Sequence, residues 1–235
     1  MKIENYENIQ LIIFDCDGVL IDSETISAKV ISMQFSKLGI DIDTQYVQKH
    51  FVGQSYLKVK GHVLKNFDIQ LADNFEEEYR EELLKVFKKE LKIVPGIKDI
   101  LEQLNIKKCV ATSSSKTRAT SSLKTVGIYE YVKDNIFSAY SLGDKGKPAP
   151  DIYLNCAKKF NIEPQNVLVI EDSLVGIEGG KRAGMKTWHF IGASHLKSWN
   201  KNHKYTYEPD FVFEDMNRFF DYLPHLSSNN VKGKK

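Results

Sequence analysis

The chain has 235 residues, of which 42% are hydrophobic and 27% are charged. This apolar share is enough for a packed core and excludes a wholly disordered protein. The 33 lysine and arginine residues nearly balance the 31 aspartate and glutamate residues, and the net charge of +2 gives no electrostatic reason to expect a nucleic-acid partner.

The three cysteines do not form a metal or disulfide pattern. Cys16, Cys109 and Cys156 are far apart and lack any CxxC spacing, so neither a disulfide framework nor a zinc knuckle is expected. Cys109 and Cys156 lie in apolar contexts, where we expect them to pack as small core residues.

The sequence contains no apolar segment of signal-peptide or membrane-span length. Its first residues alternate charged and polar side chains, and its longest aliphatic runs, such as Val167–Ile170, have the length of a strand. We therefore expect a cytoplasmic protein with neither a membrane nor a nucleic-acid partner, present as a monomer or a weak dimer.

Short apolar runs alternate with helical patterns along most of the chain. Continuous apolar runs are typical of strands buried on both faces of a parallel sheet, and the helical patterns between them end at glycine or begin after proline. This alternation predicts an α/β fold with a doubly wound, mostly parallel sheet. The predicted strands are Leu11–Phe14, Cys109–Ala111, Val167–Ile170 and Thr187–Phe190, with weaker candidates at Ile136–Phe137 and Phe211–Phe213, and the predicted helices are Gly96–Leu104, Lys116–Val126, Pro150–Phe160 and Ser173–Ala183.

One segment, from about Glu24 to about Leu91, breaks this alternation, because it contains helical patterns and no convincing strand. Helices are predicted there at Thr25–Leu38, Thr44–His50 and Phe75–Leu91, the second capped by Thr44. We therefore divide the chain into a core piece with the first strand and catalytic loop (1–23), a helical insert (24–92), the rest of the core (93–226) and a flexible tail (227–235).

Two pairs of carboxylates directly follow predicted strands. Asp15 and Asp17 come after the first strand, and Gly18 lets the backbone turn sharply there; taken alone, this pattern is also typical of a turn with an aspartate cap. Glu171 and Asp172 follow another strand, where a helix N-cap would explain them equally well.

Two further polar clusters have chemistry that complements these carboxylates. Ser113 and Ser114 follow a strand and precede a predicted helix, where hydroxyl and free N–H groups form either an anion site or a plain serine cap. Lys147 lies between glycine and proline, which suits either a fixed charge facing a phosphate or a solvated loop lysine.

Considered together, the four clusters are more specific than any one of them. The carboxyl ends of parallel strands meet at one edge of a sheet, where open α/β folds bind ligands. Four carboxylates converging there repel one another, and a divalent cation with oxygen ligands, Mg²⁺ above all, relieves that repulsion. Ser113 and Lys147 then supply the donors that a phosphoryl group requires.

The order of these clusters resembles a known family. Asp15-Cys16-Asp17-Gly18, Ser113, Lys147 and Glu171-Asp172 are similar to the four motifs of the haloacid dehalogenase superfamily. GKPAPD and EDSxxGI resemble its β-phosphoglucomutase-like group, and the helical insert resembles that group's mobile cap. FDCDG and FSAY are most similar to bacterial sugar-phosphate phosphatases of the 6-phosphogluconate phosphatase kind. The resemblance extends from about Leu11 to about Ile191.

The resemblance implies a catalytic role for several of these residues. Asp15 would be the nucleophile that forms an aspartyl phosphate, and Asp17 the general acid that then becomes the base toward water. Ser113, the N–H of Ser114 and Lys147 would hold the phosphoryl oxygens.

The resemblance also implies the magnesium ligands. Mg²⁺ would be held by the Asp15 carboxylate, the main-chain carbonyl of Asp17 and the Asp172 carboxylate. Glu171 would join this set directly or through a water molecule.

Substrate choice is expected from the insert. The resemblance places a specificity loop at Gly53, Gln54 and Ser55, although these are also ordinary residues for a helix–helix loop. The expected substrate is a small phosphorylated metabolite, either a sugar phosphate or a sugar-acid phosphate.

Two alternatives to a phosphatase remain open. A phosphoglucomutase of this group carries a histidine where Ser27 stands here, which favours hydrolysis over phosphoryl transfer to a sugar. A phosphometabolite sensor without hydrolytic activity would need neither Asp15 nor Asp17. A haloacid dehalogenase proper lacks the second motif aspartate, so Asp17 argues against that reaction.

Overall fold

The computed structural model describes residues 6–51, 56–140, 142, 146–197, 199–200 and 203–229. Within these residues the strands are Leu11–Phe14 (β1), Lys107–Thr112 (β2), Ile136–Ser138 (β3), Val167–Glu171 (β4), Lys186–Phe190 (β5) and Phe211–Phe213 (β6). The helices are Glu24–Lys37 (α1), Thr44–His50 (α2), Tyr56–Phe67 (α3), Phe75–Glu90 (α4), Ile97–Gln103 (α5), Lys116–Thr125 (α6), Asp151–Phe160 (α7), Leu174–Arg182 (α8) and Phe219–Tyr222 (α9).

The strands form one sheet in the order β3-β2-β1-β4-β5-β6. Every neighbouring pair is parallel, and Phe14 at the end of β1 is in register with Val110 of β2 and Ile170 of β4. The strand order reverses between β1 and β4, which is where doubly wound sheets bind ligands. The predicted α/β fold with a parallel sheet is therefore confirmed.

The centre of the sheet is buried on both faces. All residues of β1 and β4 are buried, which explains why their sequences are continuously apolar up to the carboxyl end of each strand. Cys109 and Cys156 are free thiols buried in the core cluster on one side of the sheet, so their predicted packing role is confirmed.

The chain divides into two compact units. One contains the sheet and consists of the segments that end at Asp22 and resume at Ile93, and the other is Ser23–Lys92. The second unit is built from α1 to α4 around a core that includes Phe35, Val63 and Phe75.

Two details of the helical unit differ from the sequence prediction. The Asp43 side chain, rather than Thr44, caps α2, because its Oδ1 accepts the Tyr46 N–H at 2.7 Å. Helix α3 lies within the segment expected to be helical but is not among the individual helices that the sequence predicts.

Among the residues that the structure describes, no helix combines the length and the apolar character needed to cross a lipid bilayer.

Candidate active site

Three carboxylates meet at the point where the strand order reverses. Asp15 directly follows β1, Glu171 ends β4 and Asp172 follows it. One carboxylate oxygen of each residue lies within 4.8 Å of one oxygen of each of the others, and all three side chains are buried. The Asp15 N–H donates to the Ile170 carbonyl at 2.9 Å, so the pairing of the two strands fixes this meeting point.

The ammonium group of Lys147 lies inside this cluster. It donates to Asp15 Oδ1 at 2.5 Å, to the main-chain carbonyl of Ala111 at 2.9 Å and to Glu171 Oε1. The Lys147 side chain is only 3% exposed. Lys147 therefore joins the ends of three neighbouring strands and is not a solvated loop lysine.

Donors of the protein surround Glu171. Its Oε1 also accepts the Tyr153 hydroxyl at 2.8 Å, and its Oε2 accepts the Ser173 hydroxyl at 2.9 Å. Ser173 Oγ in turn accepts the Gly176 N–H and caps α8. Glu171 thus anchors Lys147 to the start of α8.

Burial and mutual repulsion act together on the carboxylates. Burial, followed by the negative charges of Glu171 and Asp172, raises the pKa of Asp15 well above its ordinary value, although Lys147 opposes this shift. Burial and the charge of Glu171 likewise raise the pKa of Asp172. Burial disfavours the charge on Lys147, but Asp15 and Glu171 more than compensate and raise the pKa of its ammonium group.

Asp172 packs against the turn that follows β1. A Cβ placed on Gly18 would lie 1.8 Å from Asp172 Oδ2, and Gly18 has a φ of +84° that disfavours other residues. The same oxygen, Asp172 Oδ2, lies 3.1 Å from His195 Nε2. Both contacts fix the direction in which this carboxylate points.

Asp17 has a different environment from Asp15. Its Oδ2 accepts the Ser114 hydroxyl at 2.7 Å, and its Oδ1 accepts an N–H of Arg118 at 3.0 Å. Ser114 is itself held in place, because its N–H donates to Thr112 Oγ1 at 3.0 Å and its carbonyl accepts the Ser138 hydroxyl at 2.6 Å.

The donor set of the cluster fits a divalent cation that prefers oxygen. Three carboxylates carry three negative charges when ionised, and the ammonium of Lys147 offsets one of them. The two carboxylates left without compensation repel each other by roughly 3–4 kcal/mol at an effective dielectric constant near 20. Buried carboxylate oxygens of this kind are the ligands that Mg²⁺ takes.

The structure brings most of the predicted site residues to one sheet edge. Asp15, Lys147, Glu171 and Asp172 are in direct contact or close proximity, whereas the Asp17 side chain is directed to the start of α6. Ser113 is exposed in the loop between β2 and α6. The predicted substrate residues Gly53, Gln54 and Ser55 lie outside the described residues.

Three residues of the site were not found in the sequence: Tyr153, Arg118 and His195. Tyr153 and Arg118 lie inside helices α7 and α6, where each fits an ordinary helical pattern. His195 belongs to the short turn Ser194–Leu196 after β5. The other site residues are polar side chains that follow a strand end, and of these three only His195, in the turn after β5, fits that pattern.

Comparison with known proteins gives consistent matches over most of the chain. A family model described as haloacid dehalogenase-like hydrolase matches residues 9–184. The 6-phosphogluconate phosphatase of Escherichia coli (strain K12) is 30% identical over 190 residues, which cover 80% of this chain and 86% of that protein. The phosphorylated carbohydrates phosphatase of Thermotoga maritima is 30% identical over 185 residues, covering 76% of this chain and 83% of that protein.

A solved structure has the same fold. The crystal structure of a haloacid dehalogenase-like protein of unknown function from Agrobacterium tumefaciens matches with a TM-score of 0.77 and 32% identity, covering 92% of this chain and 98% of that one.

The close approach of Gly18 to Asp172 leads to a first prediction. Gly18→Ala should lower both the stability and the activity, because the added methyl group must displace the Asp172 carboxylate. Gly127→Ala is the matched control, since Gly127 has a similar φ of +75° but nothing within 4 Å of its Cβ position. The control should cost about 1–2 kcal/mol of left-handed backbone strain.

Urea denaturation and phosphatase assays on both variants would measure this difference. Equal loss of stability in the two variants, with activity retained in Gly18→Ala, would show that the contact with Asp172 is unimportant.

Proposed function

This chain belongs to the haloacid dehalogenase-like hydrolases, as its four motifs predict, and we propose that it is a magnesium-dependent phosphatase of small phosphorylated sugars or sugar acids. The observation that carries the proposal is the buried carboxylate of Asp15, 2.5 Å from the Lys147 ammonium and within 4.8 Å of the carboxylates of Glu171 and Asp172. If Lys147 and Asp15 formed only a structural ion pair, the pair would not require the nearby carboxylates of Glu171 and Asp172.

The proposed reaction has two steps in which Asp15 is the nucleophile. Its carboxylate oxygen attacks phosphorus, the bond from phosphorus to the sugar oxygen breaks, and Asp17 gives that oxygen a proton. A water molecule then attacks the phosphorus of the aspartyl phosphate while Asp17 takes up a proton. Inorganic phosphate leaves and the Asp15 carboxylate is restored.

Lys147 supports the first step by its fixed position. Its hydrogen bonds to Asp15 and Glu171 hold the proposed nucleophile in one orientation. Its positive charge beside the Asp15 carboxylate would offset the negative charge of an arriving phosphoryl group. Ser113, exposed in the loop before α6, is a second proposed contact of the phosphoryl group.

The bound metal would be held by Asp15 and Asp172, together with the main-chain carbonyl of Asp17, and Glu171 would contribute directly or through water. When bound, Mg²⁺ offsets the charge of the phosphoryl oxygens and orients them. The supporting observation is the set of buried oxygen donors, whose charge Lys147 only partly offsets.

The substrate class is proposed from the relatives. The proteins named as a 6-phosphogluconate phosphatase and a phosphorylated carbohydrates phosphatase each match about four-fifths of this chain at 30% identity. Both names describe phosphate esters of carbohydrates, and a hydrophilic ester of this kind suits a polar site at the end of a sheet.

The nucleophile can be tested by substitution. Asp15→Asn should abolish turnover of acetyl phosphate and p-nitrophenyl phosphate, because the amide cannot form the aspartyl phosphate. Asp221→Asn, which changes an exposed partner of Arg218, is the control and should retain full activity. Hydrolysis at the wild-type rate by Asp15→Asn would exclude the proposed nucleophile.

The metal can be tested by removal and by a binding measurement. EDTA should stop hydrolysis and added Mg²⁺ should restore it. Mg²⁺ should also raise the thermal midpoint of the wild type, because binding to the native state relieves carboxylate repulsion. Asp172→Asn should lose most of this shift, and an equal shift in both proteins would exclude Asp172 as a ligand.

The substrate class can be tested with a panel of phosphate esters ranked by kcat/KM. Sugar phosphates and phosphorylated sugar acids should rank above nucleotides and phosphopeptides. A panel led by a nucleotide or a phosphopeptide would contradict the proposed class.

A further inference from the structure

The first turn of α6 contains positively charged residues, which are electrostatically unfavourable at a helix N-terminus. Ser115 caps the helix by accepting the Arg118 N–H at 3.3 Å, which makes Lys116 and Arg118 the first and third helical residues. The first turn contains no acidic residue. Because the N-terminal end of a helix dipole is positive, basic residues there are electrostatically unfavourable and acidic ones are preferred.

The side chain of Arg118 compensates this cost with a specific partner. Its guanidinium donates to Asp17 Oδ1 at 3.0 Å, while the Ser114 hydroxyl donates to Oδ2 at 2.7 Å. Both side chains of the ion pair are mostly shielded from water, with Arg118 18% and Asp17 13% exposed. The two donors come from one segment and reach both oxygens of the same carboxylate.

The donors that hold Asp17 come from a distant part of the chain. The chain turns after β1, and the Gly18 N–H donates to the Ile21 carbonyl at 2.8 Å. The donors of the α6 segment are separated from Asp17 by about a hundred residues of sequence. Donors of the α6 segment therefore hold both oxygens of the Asp17 carboxylate.

We propose that Arg118 is a positioning residue, which holds the Asp17 carboxyl group in the orientation in which it gives a proton to the leaving sugar oxygen and later takes one up from water. The proposal rests on the proposed function, in which Asp17 is the general acid. Residues that are unfavourable for local helix stability are found at functional positions more often than elsewhere. The basic residues in the first turn of α6 are an example.

The test compares two phosphate esters that differ in their need for an acid. A sugar alkoxide leaves only when it is protonated, whereas p-nitrophenolate leaves without a proton. The measured quantity is kcat/KM, because it covers the steps through departure of the leaving group. The two probes are 6-phosphogluconate and p-nitrophenyl phosphate, each assayed with saturating Mg²⁺.

Asp17→Asn provides the reference signature, a much larger loss with 6-phosphogluconate than with p-nitrophenyl phosphate. Arg118→Ala should show the same signature in weaker form, with kcat/KM for 6-phosphogluconate reduced by roughly 10- to 100-fold, a part of the contribution that a positioned acid makes. Arg118→Lys, which keeps one charge but not the fork of donors, should recover part of the lost rate.

Arg182→Ala is the matched control. It removes an arginine whose ion pair with Glu178 lies within α8, and it should not change the ratio between the two substrates. Urea denaturation of each variant separates a folding defect from a positioning defect, because a partly unfolded enzyme loses activity equally toward both esters.

The possible results distinguish the inference from the function on which it rests. If Arg118→Ala loses activity equally on both esters, or shows only a higher KM, the positioning role is overturned. If Asp17→Asn still loses activity selectively with 6-phosphogluconate, the proposed function remains intact. A loss in Asp17→Asn that does not depend on the leaving group would overturn the acid assignment and, with it, the role of Arg118.

Discussion

The site depends on one electrostatic constraint, the burial of three carboxylates around a single lysine at the end of a parallel sheet. Removing one partner of a buried ion pair generally costs several kcal/mol, because the remaining charge is left without compensation. Asp15 and Glu171 are each held by Lys147, and Glu171 is held further by Tyr153 and Ser173. The network therefore fixes the position of Asp15, the proposed nucleophile, before any ligand arrives.

The same constraint explains the glycines that accompany the acidic residues. A Cβ on Gly176 would lie 2.0 Å from the Glu171 side chain, and one on Gly18 would lie 1.8 Å from Asp172 Oδ2. Side chains at these positions would occupy the space of the carboxylates. In the sequences Asp-x-Asp-Gly and Glu-Asp-Ser-x-x-Gly, the glycine leaves free the space that a neighbouring carboxylate occupies.

The sequence predicts the parts of the site that follow from strand ends. Asp15 and Glu171-Asp172 could be placed together because each follows a fully apolar strand, and parallel strands present their carboxyl ends at one edge. Arg118 could not be found in this way. Its contact with Asp17 spans 101 residues and depends on how α6 is rotated against the sheet, which no local pattern encodes.

Asp15 and Asp17 are separated by only one residue, yet the structure gives them opposite surroundings. Asp15 lies among carboxylates and the Lys147 ammonium, with burial raising its pKa. Asp17 lies across the turn, between a guanidinium and a hydroxyl of the α6 segment. Enzymes assign different roles to neighbouring carboxyl groups by giving them different environments. Here the backbone creates the two environments. The chain turns between Asp15 and Asp17, so that the first side chain lies near the end of β4 and the second near the start of α6.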